Sequence, residues 1–118
     1  MVDCELVRAI GVSNFLVDDL ESLMETASII PHVNQFEYHP YLNDCDVRAI
    51  QVLTLFPKFQ GSCPLAKGEI LQRPELVQVA QRIGKTPAQV SIRYSIQNDV
   101  IAIPKSLRPW RLRENASV

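Results

Sequence analysis

A chain of 118 residues holds one domain at most, and is long enough to bury a core. Twelve basic and thirteen acidic side chains leave a net charge of −1, which argues against a nucleic-acid or membrane-surface partner. No apolar run approaches the roughly 20 residues that span a bilayer. The three cysteines, Cys4, Cys45 and Cys63, lack metal-ligand spacing, and Asp3 and Glu5 stand where a secretory leader would be cationic. Reduced thiols in the cytoplasm are therefore expected.

Taken in chain order, the segments alternate between two periods. Leu6–Val12 is an apolar run that predicts a buried strand, and Ser13-Asn14 after it are good helix caps. Val17, Leu20, Leu23, Met24 and Ala27 recur at helical spacing, with Asp18, Asp19 and Glu21 in the first turns. His32–Tyr38 alternates and predicts a second strand, which His39-Pro40 ends. Asn43, Asp44 and Asp46 signal a helix start over about Val47 to Leu55, although its nearly all-round apolar character also fits a buried strand. Pro57–Ser62 predicts a third strand, with the proline tolerable at its first position, and Cys63–Gly68 a loop.

Pro74 at a first helical position opens a helix that Gly84 stops. Next, Thr86, Pro87 and Gln89 form a capping box. The residues that follow conflict with it: Ala88, Val90, Ile92, Tyr94 and Ile96 alternate with polar residues at period 2, the signature of a strand. The capping signal decides for a helix.

The last stretch carries the most chemistry. Val100–Ile103 reads as a buried strand, Pro104 ends it, and Pro109 opens a helix. Lys105 and Ser106 fall between strand and helix, where free N–H groups and the helix dipole favour an anion. Arg108, Arg111 and Arg113 add cations suited to bidentate phosphate recognition. The same residues also fit a solvated basic face. Strand candidates ending in Ser13-Asn14, Gln35, Ser62 and Lys105-Ser106 alternate with helices, which implies parallel strands with ligands at their carboxyl ends.

Val7–Phe15, Val33–Leu42, Cys63–Gly68, Gly84–Val90 and Ile103–Ser106, together with Arg111, Glu114 and Asn115, resemble the C-terminal half of an aldo-keto reductase, in order and near the family's spacing. The resemblance implies an α/β fold: a partial TIM (β/α)8 barrel of about four parallel β/α units, corresponding to strands five to eight. It also implies an NADP(H)-dependent reductase of aldehydes and ketones, with a small-molecule carbonyl substrate. On that resemblance Ser13, Asn14 and Gln35 hold the nicotinamide carboxamide. Leu65 and Lys67 lie in the loop over the pyrophosphate. Lys105, Ser106 and Arg111 meet the adenosine 2′-phosphate, and Glu114 and Asn115 the adenine. Ser62 stands where the family usually has an aromatic that stacks on the nicotinamide.

The family's catalytic Asp, Tyr, Lys and His precede the matched region, so no catalytic residue carries over. Tyr38, His39 and Lys105 match non-catalytic positions. Cys45–Lys58 departs from the usual amphipathic helix and glycine. The expectation is a truncated or partial member: the cofactor-binding half of a reductase, or a non-catalytic remnant that binds NADP weakly or acts through protein contacts. An unrelated anion-binding module is the third reading. Four parallel strands with two open edges also predict self-association.

Overall fold

The computed structural model describes residues 7–42 and 58–118. The helix or strand expected over 47–55, and the strand start at Pro57, lie outside these residues. Four strands, β1 (Gly11–Ser13), β2 (Val33–Glu37), β3 (Lys58–Ser62) and β4 (Val100–Ala102), form one parallel sheet in the order β1-β2-β3-β4. Four α-helices are described: α1 (Val17–Met24), α2 (Pro74–Ile83), α3 (Pro87–Gln97) and α4 (Pro109–Ala116). The described residues divide into two compact units, 7–36 with 58–60 and 37–42 with 61–118.

In the first unit β1 pairs with β2 in the register Gly11↔Val33, Val12↔Asn34, Ser13↔Gln35. Gly11 is required there, because a Cβ would lie 2.9 Å from the Val33 carbonyl oxygen. The strand is shorter than the expected Leu6–Val12 and lies further along the chain. Its pairing runs from the His32 N–H, which donates to the Ile10 carbonyl at 2.7 Å, to the Asn14 N–H, which donates to Gln35 at 2.9 Å. Ser13 thus belongs to the strand, and Asn14 turns the chain with φ +57°, a conformation Asn tolerates.

Neither residue caps α1. That helix starts after Leu16, whose N–H donates to the Asp19 carboxylate at 2.9 Å, so an acidic third position supplies the acceptor. α1 ends at Met24, short of Ala27. Leu20, at 1 % exposure, is its buried anchor. Phe36 and Phe59 stack with centroids 5.9 Å apart between the strands.

In the second unit Gly84, at φ +65°, ends α2 in the left-handed conformation read from the sequence. The Thr86–Gln89 capping box forms in both directions: the Gln89 N–H donates to Thr86 Oγ1 at 3.2 Å, and the Thr86 N–H to Gln89 Oε1 at 3.0 Å. α3 is a helix despite the period-2 alternation, because its buried stripe is Ala88, Ser91, Ile92 and Ser95. Two serines complete a helical face that an apolar-only count breaks. Small side chains allow close approach there, and Ser91 Oγ donates to the Pro64 carbonyl.

Tyr38 and Tyr94 stack at 5.7 Å. Gly61 sits where a Cβ would come within 3.0 Å of Val100 and 3.1 Å of Tyr38. The expected loop Cys63–Gly68 is non-helical over Cys63–Leu65, and 3₁₀ turns follow over Ala66–Gln72, kinked where Lys67 and Gly68 take positive φ.

Candidate functional site

The second unit contains a cavity of about 690 Å³, within the range of small-ligand pockets. Two stretches far apart in sequence, 63–71 and 103–115, supply most of its wall. The turn after β3 contributes Leu65, Lys67 and Gly68. The segment after β4 contributes Lys105 and Ser106, and α4 contributes Arg111, Glu114 and Asn115. Seven of these, all but Gly68, are sequence-predicted site residues, and they are brought together. Ile103, Leu71, Ala88 and Trp110 supply apolar wall. The cavity therefore offers three cations, one carboxylate and one amide against an apolar lining. Such a set suits a ligand with an anionic end and a flat heteroaromatic end.

Local geometry explains how these groups are held. Ser106 Oγ accepts the Arg108 N–H at 3.1 Å, tightening the turn into α4. A hydroxyl that accepts in this way still carries its own proton to donate. Of the three arginines expected near the strand end, only Arg111 lines the cavity; Arg108 is the N-cap residue of α4. The guanidinium of Arg111 lies over the Trp110 ring, 4.9 Å from its centroid.

Gln89 ties α4 down. Its Nε2 donates to the carbonyls of Glu114 at 3.2 Å and Ser117 at 3.1 Å, and Lys85 Nζ donates to Ser117 at 3.0 Å. Ser62, at the end of β3, is not among the cavity's lining residues; its carbonyl accepts the Tyr38 N–H at 3.1 Å.

The first unit gathers Ser13, Asn14 and Gln35. Ser13 Oγ donates to the Gln35 carbonyl at 3.4 Å, and Gln35 Nε2 donates to Gln60 Oε1. Ser13, Gln35 and Gln60 line a shallow cavity of about 400 Å³. Buried Asn34, at 1 % exposure, clamps the turn that carries Asn14: its Nδ2 donates to the Phe15 carbonyl at 2.8 Å, and its Oδ1 accepts the Phe15 N–H at 3.4 Å.

Sequence reasoning missed Asn34, Gln60 and Trp110. Gln60 had a usable signal. β3 buries Phe59 and Gly61, so strand alternation puts Gln60 on the same face as Ser62.

A third cavity, of about 460 Å³, is lined by Tyr41, Leu76, Val79, Ile83 and Tyr94 among others. Partial burial, and then a 3.2 Å hydrogen bond to Glu75, hold the Tyr41 phenol above the ordinary tyrosine pKa. Among the described residues there is no cluster suited to a metal ion, and no helix long and apolar enough to cross a membrane.

No family model matches the chain. Individual proteins do. The chain is 44 % identical over 118 residues to an uncharacterized oxidoreductase of Caenorhabditis elegans, a match covering 97 % of this chain and 35 % of that protein. It is 41 % identical over 117 residues to glyoxal reductase of Bacillus subtilis, covering 95 % and 40 %. Among solved structures, an aldo/keto reductase from Brucella melitensis superposes with a TM-score of 0.87 at 34 % identity, covering 98 % of this chain and 44 % of that one. A variant of Gox0644, solved in complex with NADPH, gives 0.81 at 40 % identity, covering 93 % and 40 %. The chain thus spans about two fifths of the length of the relatives it matches, and over that span it belongs to the aldo-keto reductase family.

Proposed function

We propose that this chain provides the cofactor-binding part of an NADP(H)-dependent carbonyl reductase. The supporting observation is the basic cavity of the second unit, which draws Lys105, Ser106, Arg111, Glu114 and Asn115 together around one space. The donor set fits the adenosine 2′-phosphate end of the dinucleotide. Two cations and a hydroxyl proton match a phosphate dianion. Glu114 and Asn115 can pair with adenine edges, and Leu65 and Leu71 can cover its faces. Lys67 is assigned to the pyrophosphate. Ser13, Asn14 and Gln35 are assigned to the carboxamide, because hydroxyl and amide groups match its donor and acceptor.

When bound, the cofactor supplies a hydride to a carbonyl carbon. The residues of this chain bind and orient it; none of them is assigned the proton transfer to the carbonyl oxygen. Titration of the intact chain with NADPH and NADH tests this reading. NADPH is expected to bind the more tightly, and Lys105→Met to weaken NADPH about tenfold with little effect on NADH, as for the loss of one charge-assisted contact. Equal affinities for the two, or equal losses on substitution, would remove the phosphate assignment.

A further inference from the structure

The chain has a single tryptophan, and it lines the basic cavity. Trp110 stands in the first turn of α4, directly before Arg111. Consecutive helical residues point about 100° apart, so they share a wall only when one side chain folds across the other. Arg111 does this: its Cζ lies 4.9 Å from the Trp110 centroid, and both residues line the cavity.

Trp110 is 55 % exposed, so burial in a core does not account for it. The indole face attracts the guanidinium, while the in-plane N–H groups that pair with phosphate stay available. Arginine also loses much rotamer freedom when it is immobilised on binding, and a stack formed beforehand reduces that cost.

We propose that Trp110 is a positioning residue: it preorganises Arg111 for a phosphomonoester in this cavity and thereby sets the preference for a 2′-phosphorylated dinucleotide. The proposal rests on the assignment of the cavity to the adenosine 2′-phosphate. It separates two roles for an aromatic in such a pocket. A ring that stacks on adenine strengthens both dinucleotides, because both carry adenine. A ring that orients Arg111 strengthens only the one with the extra phosphate.

Calorimetric titration of the intact chain with NADPH and NADH discriminates them, using Trp110→Ala, Trp110→Phe, Arg111→Ala and the Trp110→Ala/Arg111→Ala double variant. Trp110→Ala is expected to weaken NADPH roughly two- to fivefold, the size of an exposed cation–π contact, and to leave NADH unchanged. Trp110→Phe keeps a ring face and should restore most of the ratio. On the Arg111→Ala background, Trp110→Ala should add nothing. Equal weakening of both dinucleotides, an unchanged ratio, or additive losses in the double variant would overturn the proposal. If Trp110→Ala loses its fold by circular dichroism, Trp110→Leu retains apolar bulk without a ring face and reads the same ratio. A wild-type chain with no preference for NADPH would remove the cavity assignment and this proposal together; a wild-type preference left undiminished by Trp110→Ala would overturn only the positioning role.

Discussion

Asn34 shows how one buried polar side chain can shape a site it does not itself line. It lies on the buried face of β2 beside Phe36, where alternation leads one to expect an apolar residue. Its amide satisfies both backbone groups of Phe15, and so holds the turn that presents Ser13 and Asn14. Asn34→Ala would leave the Phe15 N–H and C=O without these partners in a part-buried place. A loss of about 2 kcal/mol is expected, read as a lower urea midpoint. Asn34→Asp would keep one bond but bury a charge, and should be no better. A midpoint unchanged by Asn34→Ala would contradict the clamp.

Among the secondary elements, α4 carries the most site residues and has no fully buried side chain. Its position therefore depends on backbone moorings at its C-terminal end, and Gln89 supplies two of them. Gln89 also closes the capping box of α3, so one amide joins two helices. Gln89→Glu separates the roles. A glutamate keeps the acceptor that caps Thr86 but has no N–H for Glu114 and Ser117. Overall stability should fall by about 1 kcal/mol or less, whereas amide exchange in α4 should quicken and NADPH affinity drop several-fold. Protection in α4 that matches the unsubstituted chain would show that the mooring is dispensable.

For the whole molecule, the sheet order makes β1 and β4 its outer strands among the described residues. Outer strands present unpaired backbone groups, and Ile101 and Ile103, at or just beyond β4, are 41 % and 39 % exposed. We expect the chain to self-associate as its concentration rises to about 100 µM, observed by sedimentation velocity. Ile101→Lys, a charge on the outer strand, should shift the population toward monomer. A single monomeric species across the range, with or without the lysine, would refute the expectation.

Most local punctuation was legible without coordinates. Gly84 had to stop a helix, Thr86 with Gln89 had to start one, and Lys105 with Ser106 had to fall between a strand and a helix. Each of these signals acts within a few residues, through backbone conformation or a short hydrogen bond. What only tertiary structure decided involves partners far apart: Gln35 with Gln60, 25 residues on; Asn34 with Phe15, 19 away; and Ser91 with Pro64, 27 away. The buried serines of α3, Ser91 and Ser95, misled the periodicity because hydrophobicity counts ignore side chains that are polar yet small enough to pack on a buried helical face. Likewise, composition marked three arginines as candidates for one anion. The path of the chain into α4 chose Arg111, because facing a cavity depends on how distant segments pack and not on residue type.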